Sequence, residues 1–78
     1  MEWVPVESSV FVAAAYAAET RILYLHFRSG EIYRYFAFPE EQYRDFLDAS
    51  SKGRYFSSNI RDRHRCERLA RFGSSGTT

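Results

Sequence analysis

The chain predicts an α+β fold: a small antiparallel β-meander of three to four strands packed against one α-helix, with a basic C-terminal arm. Three observations carry that reading. Leu23, Leu25 and Phe27 alternate along Ile22-Leu23-Tyr24-Leu25-His26-Phe27, which is the period of a half-buried strand. Arg28-Ser29-Gly30 then leads into a second extended run, Ile32-Tyr33-Arg34-Tyr35-Phe36. Beyond Pro39, the residues Tyr43, Phe46 and Leu47 recur at helical spacing and leave Arg44, Asp45 and Asp48 outside the apolar stripe.

Residues 1–7 read as a lead-in, with Pro5 in an extended setting. Residues 8–69 read as the domain and residues 70–78 as a flexible tail, which ends Gly73-Ser74-Ser75-Gly76-Thr77-Thr78. Val10-Phe11-Val12-Ala13-Ala14-Ala15-Tyr16 favours a strand despite its alanines, because β-branched and aromatic residues bracket them. Ala17-Ala18-Glu19-Thr20 suits a hairpin turn.

The next turn decides which way the tyrosines face. A two-residue loop of Ser29-Gly30 would set Tyr33 and Tyr35 opposite the leucine face. A three-residue loop, with Gly30 in the left-handed region and a bulge, sets them on the same face as Leu23, Leu25 and Phe27. Glycine in third place, after Arg-Ser, favours the second arrangement.

Pro39 suits the first turn of a helix, and Glu40 and Glu41 complement the positive helix N-terminus. Ala49-Ser50-Ser51-Lys52-Gly53 is expected to end that helix, with Gly53 as a left-handed cap. Tyr55 and Phe56 should fold back on the core. The basic residues 61–71 read as a short strand or irregular arm.

Length and composition set bounds. Seventy-eight residues make one domain, and a chain this short buries only roughly 60% of its unfolded surface. Seven Phe, six Tyr and one Trp must supply much of the core, so not every aromatic is a ligand platform. One cysteine, Cys66, excludes an internal disulfide and suits a reducing compartment. No apolar run approaches the roughly 20 residues of a membrane span, and Met1-Glu2-Trp3 lacks a basic signal-peptide start. A cytoplasmic protein is expected.

The net charge of +1 hides an asymmetry. Eight acids face four arginines through Asp48, a balance of −4; thereafter seven bases face Asp62 and Glu67, a balance of +5. Arginine outnumbers lysine ten to one, and its planar fork suits phosphate and carboxylate. The imbalance suggests an anionic partner, or a match between the chain's own acidic and basic halves.

Several candidates follow. Tyr33 and Tyr35 can stack on bases or fill the core, and the turn argument favours the core. The opposite strand face would then offer Tyr24, His26, Arg34 and Phe36, as a stacking surface, a solvated face or a dimer contact. Lys52-Gly53-Arg54 at a helix exit can meet a phosphate or simply cap the negative helix end. Arg61, Arg63 and Arg65 alternate, which in an extended segment places three guanidinium groups on one side. They either bind an anion or are neutralised by Glu40, Glu41, Asp45 and Asp48. Catalysis finds little support: His26 and His64 are the only imidazoles, no nucleophile has a recognisable setting, and His64-Arg65-Cys66 is too sparse for zinc.

The ordered set Ser8-Ser9-Val10, Phe27-x-x-Gly30, Tyr33-Arg34-Tyr35, Pro39 and Ala49-Ser50-Ser51-Lys52-Gly53-Arg54-Tyr55-Phe56, with Ile60-Arg61, resembles the KTSC domain family. That small module is named after the C-terminus of some lysyl-tRNA synthetases and also occurs as a stand-alone bacterial protein. The family's tyrosine-x-tyrosine falls on Tyr33 and Tyr35, and Gly53, Tyr55 and Phe56 belong to its second motif. Ser57 departs from the asparagine expected after the Tyr-Phe pair, and His64 and Cys66 stand where aromatics are common. The resemblance implies no established activity and suggests RNA binding through the synthetase context.

The expectation is therefore a non-catalytic binding module with no cofactor, metal, membrane or small-molecule substrate. Its partner would be RNA or tRNA, met by Tyr24, Arg34, Lys52, Arg54, Arg61, Arg63 and Arg65. The alternative is a protein-interaction or accessory module.

Overall fold

A computed structural model describes residues 2–71 of the chain. Five strands form one antiparallel sheet in sequence order: β1 (Val4–Pro5), β2 (Phe11–Ala17), β3 (Ile22–Phe27), β4 (Glu31–Tyr35) and β5 (Cys66–Arg71). Two helices, α1 (Glu40–Asp48) and α2 (Lys52–Asn59), lie between β4 and β5 in the chain. The expected α+β meander is present, with five strands and two helices in place of three to four strands and one helix.

The β3–β4 hairpin follows the three-residue reading. Gly30 has φ 102°, and its N–H donates to the Phe27 carbonyl at 2.9 Å. The register sets Leu23 opposite Tyr35 and Leu25 opposite Tyr33, so the tyrosines share the leucine face. Tyr35 is buried, and Tyr33 packs against the core.

Both helices cover that same face. Phe46 of α1 and Phe56 of α2 meet Phe11 of β2 at 5.5 and 5.4 Å between ring centroids, and Phe56 also meets Tyr35 at 5.8 Å. Phe11, Leu23, Leu25, Phe38, Phe46 and Ile60 are fully buried there. Edge-to-face aromatic pairs dominate the core, as expected where large rings replace scarce aliphatic residues.

Two expectations about the second half are corrected. The stretch Ser51-Lys52-Gly53 does not end a helix; it begins α2. The Ser51 hydroxyl accepts from the Arg54 N–H at 3.3 Å as an N-cap. Glycine, two serines and asparagine are poor helix formers, so propensity hid this helix, and burial of Phe56 holds it. Of the two readings of residues 61–71, the irregular arm is not supported and the short strand is. Residues 60–63 form a tight turn, with the Arg63 N–H donating to the Ile60 carbonyl at 3.0 Å, and β5 then pairs along β4. Of the expected tail, residues 70–78, Ala70 and Arg71 belong to β5 and residues 72–78 lie outside the described residues.

Gly53 is required for space. A Cβ added there would lie 2.9 Å from Val10 Cγ2, and the β-branched Val10 has little rotamer freedom to yield. Gly53→Ala should cost about 1–3 kcal/mol from overpacking, offset by up to about 1 kcal/mol of helix propensity. Urea unfolding of Gly53→Ala, Val10→Ala and the double variant checks this: the pair should be less destabilised than the sum of its parts.

Candidate nucleic-acid interface

Alternation along β3 and β4 turns Tyr24, His26, Ile32 and Arg34 onto the face away from the helices. Tyr24 stands opposite Arg34, and His26 opposite Ile32. The β1–β2 pairing brings Trp3 to the same face, where its ring lies edge-on to Tyr24 at 6.4 Å and His26 at 6.3 Å. Trp3 remains 42% exposed, so this aromatic cluster is open to a partner.

Phe36 extends the patch beyond β4. The guanidinium carbons of Arg34 and Arg65 lie over its ring, 5.3 and 5.1 Å from the centroid. Its backbone is fixed from both sides. The Phe36 N–H donates to the Arg65 carbonyl at 2.9 Å, and His64 Nδ1 donates to the Phe36 carbonyl at 3.1 Å. The other imidazole nitrogen lies 3.1 Å from Gln42 Oε1 of α1, and Phe38 packs on the ring at 4.7 Å. His64 thus ties the end of β4 to the helix layer, a positioning role and not that of a free base.

Arg34 is not a free cation. Its Nε donates to Glu67 Oε1 at 2.8 Å, and its Nη2 donates to the same oxygen. Glu67 stands opposite Arg34 on β5. Hydrogen bonding to Glu67 raises the Arg34 pKa above its ordinary value against the opposing effect of desolvation, and the charge of Glu67 and the Tyr24 hydroxyl add to the rise. Arg65 has no acidic partner among the described residues.

The other expected site residues are dispersed. Lys52 lies at the start of α2 and turns its Nζ back to the Ala49 carbonyl at 2.8 Å. Arg54 is exposed on α2, beside Ser51 and Ser58, in the helix layer on the far side of the sheet. Arg61 and Arg63 sit in the turn before β5. Asp62 there has φ 64°, so the three alternating arginines do not line one side of a strand. Arg61 lies close enough to the buried Tyr35 phenol to favour its ionised form, whereas Arg65 reaches the open face. The structure therefore joins Tyr24, Arg34 and Arg65 and leaves Lys52, Arg54, Arg61 and Arg63 apart from them. Tyr33, Tyr35, Tyr55 and Phe56 belong to the core or pack against it.

Neutralisation by the acidic helix does not account for the arginines. Among the described residues α1 makes one ion pair, Arg44 to Glu40 within the helix at 3.5 Å, and Arg68 pairs with Glu31 at 3.7 Å. Sequence reading missed Trp3, Glu67 and the bridging role of His64. Phe36 was offered for this face from sequence, since it follows Arg34 at the two-residue period of a strand face.

Comparison with known proteins supplies the context. The family model described as KTSC domain matches residues 7–64. A protein of Tsukamurella paurometabola is 40% identical over 65 residues, covering 83% of this chain and 97% of its own. A lysine–tRNA ligase of Nostoc punctiforme is 34% identical over 64 residues, which cover 82% of this chain and 11% of the ligase. The crystal structure of a KTSC domain protein from Yersinia pestis superposes with a TM-score of 0.86 at 32% identity, covering 88% of this chain and 97% of that one.

Proposed function

The chain belongs to the KTSC domain family, and from that premise we propose that it is a non-catalytic module that binds nucleic acid through the open face of its sheet. One observation carries the reading: Phe36 is flanked by two arginines on a face that also presents Tyr24 and the exposed Trp3. Rings of this kind offer π-faces to bases, and Arg65, which has no acidic partner among the described residues, offers charge to a phosphate. The matching stretch within a lysine–tRNA ligase, whose name carries an RNA, agrees in kind.

Titration of fluorescently labelled RNA and DNA with the protein at several salt concentrations tests the proposal. Affinity should fall with log salt by about 0.7 per phosphate neutralised on a single strand or about 0.9 on a duplex, and Arg65→Ala should reduce that slope by about one contact. Binding that ignores salt, or no binding to any nucleic acid, removes the proposal and leaves a protein partner as the reading to pursue.

A further inference from the structure

Resting on that reading, we infer that the ligand is single-stranded, and that Glu67 holds Arg34 as part of a stacking platform and not as a phosphate contact. The face is rich in rings and poor in free charge. Trp3, Tyr24 and Phe36 share it, while Arg65 is its one arginine without an acidic partner among the described residues. Duplexes keep their base faces stacked inside and present phosphates and groove edges, so their binding rests on many cationic contacts. Unpaired bases expose the faces that rings and guanidinium planes stack on.

Arg34 matches the second role by its bonding. Two of its donors, Nε and Nη2, are spent on one Glu67 oxygen, which neutralises the charge and fixes the guanidinium beside Phe36. Phe36 is itself held through both backbone polar groups, by Arg65 and by the His64 bridge to α1. A platform fixed before binding loses little freedom when a base settles on it.

The test uses the full chain and labelled oligonucleotides of about ten residues, RNA and DNA, each single-stranded and as its duplex. Trp3 is the sole tryptophan and reports stacking by fluorescence. The single strand should bind about tenfold or more tighter than the duplex and quench Trp3. Phe36→Ala and the bulk-preserving Phe36→Leu, each first checked for an intact fold by NMR, should weaken it roughly 5- to 150-fold. Glu67→Gln should release Arg34 to a phosphate and steepen the single-strand salt slope by about 0.7. Equal binding of strand and duplex, with Trp3 silent, or unchanged affinity in a folded Phe36 variant, overturns the inference while nucleic-acid binding stands. Failure of every oligonucleotide to bind overturns both.

Discussion

Phe11→Ala is expected to cost about 3–5 kcal/mol, a large share of the folding free energy of a domain this small. At roughly 0.05–0.15 kcal/mol per residue, a chain of 78 residues holds only about 4–12 kcal/mol in total. Phe11 is fully buried on β2, and its ring meets Phe27 at 4.8 Å, Phe46 of α1 at 5.5 Å and Phe56 of α2 at 5.4 Å. It is therefore a point at which both helices are joined to the sheet. Truncation removes the ring's own transfer energy and also the partner of three others, two of which, Phe46 and Phe56, cannot relax without moving a helix. Urea unfolding followed by circular dichroism measures the loss. A midpoint close to that of the unaltered chain would show that the helices are held by other contacts.

Much of this arrangement was legible in sequence because it depends on short-range geometry. The position of Gly30 selected the hairpin loop, the loop selected the register, and the register placed Tyr33 and Tyr35 beside the leucines. The helix α1 declared itself by its apolar stripe and its acidic first turn. What failed to show depends on tertiary contacts. The two-residue strand β1 carries no periodic signal, and α2 is composed of residues that disfavour helices. For β5 the sequence left strand and irregular arm both open, because a register shift opposite Ile32 and Tyr33 blurs the alternation that would decide between them.

The site divides along the same line. Period-two parity alone puts Tyr24 and Arg34 on the face opposite the tyrosine pair, and the pairing of β3 with β4 sets them side by side. The neutralisation of Arg34 rests on a contact between residues 34 and 67, and nothing local to either announces it. Arg61, Arg63 and Arg65 misled because their alternation assumed extended backbone, whereas Asp62 takes the left-handed region that short polar side chains tolerate. A charge pattern read from sequence holds only as far as the backbone assumed for it.

Whether the family's tyrosine pair is core or ligand surface can be decided by alkaline titration, with an effect second only to that of Phe11. Burial pushes the Tyr35 phenol well above its ordinary value, Cys66 and Tyr33 add to the rise, and Arg61 opposes it. Burial also raises Tyr43, and burial together with Asp45 raises Tyr55. In the unfolded chain these phenols release protons near pH 10, while the folded protein keeps them bound to a higher pH. The unfolded state then binds fewer protons, so stability must fall as pH rises. The full stabilisation is present below about pH 10 and is lost progressively above it, at up to about 1.4 kcal/mol per pH unit for Tyr35 alone. Urea midpoints measured from pH 8 to 11.5 should hold to about pH 10 and then decline, and Tyr35→Phe should make the decline shallower. The same variant should leave nucleic-acid affinity unchanged, since the ring stays in the core and only the hydroxyl is lost. A Tyr35→Phe protein with an unaltered alkaline decline, or with weakened binding, would instead place that phenol at the ligand surface.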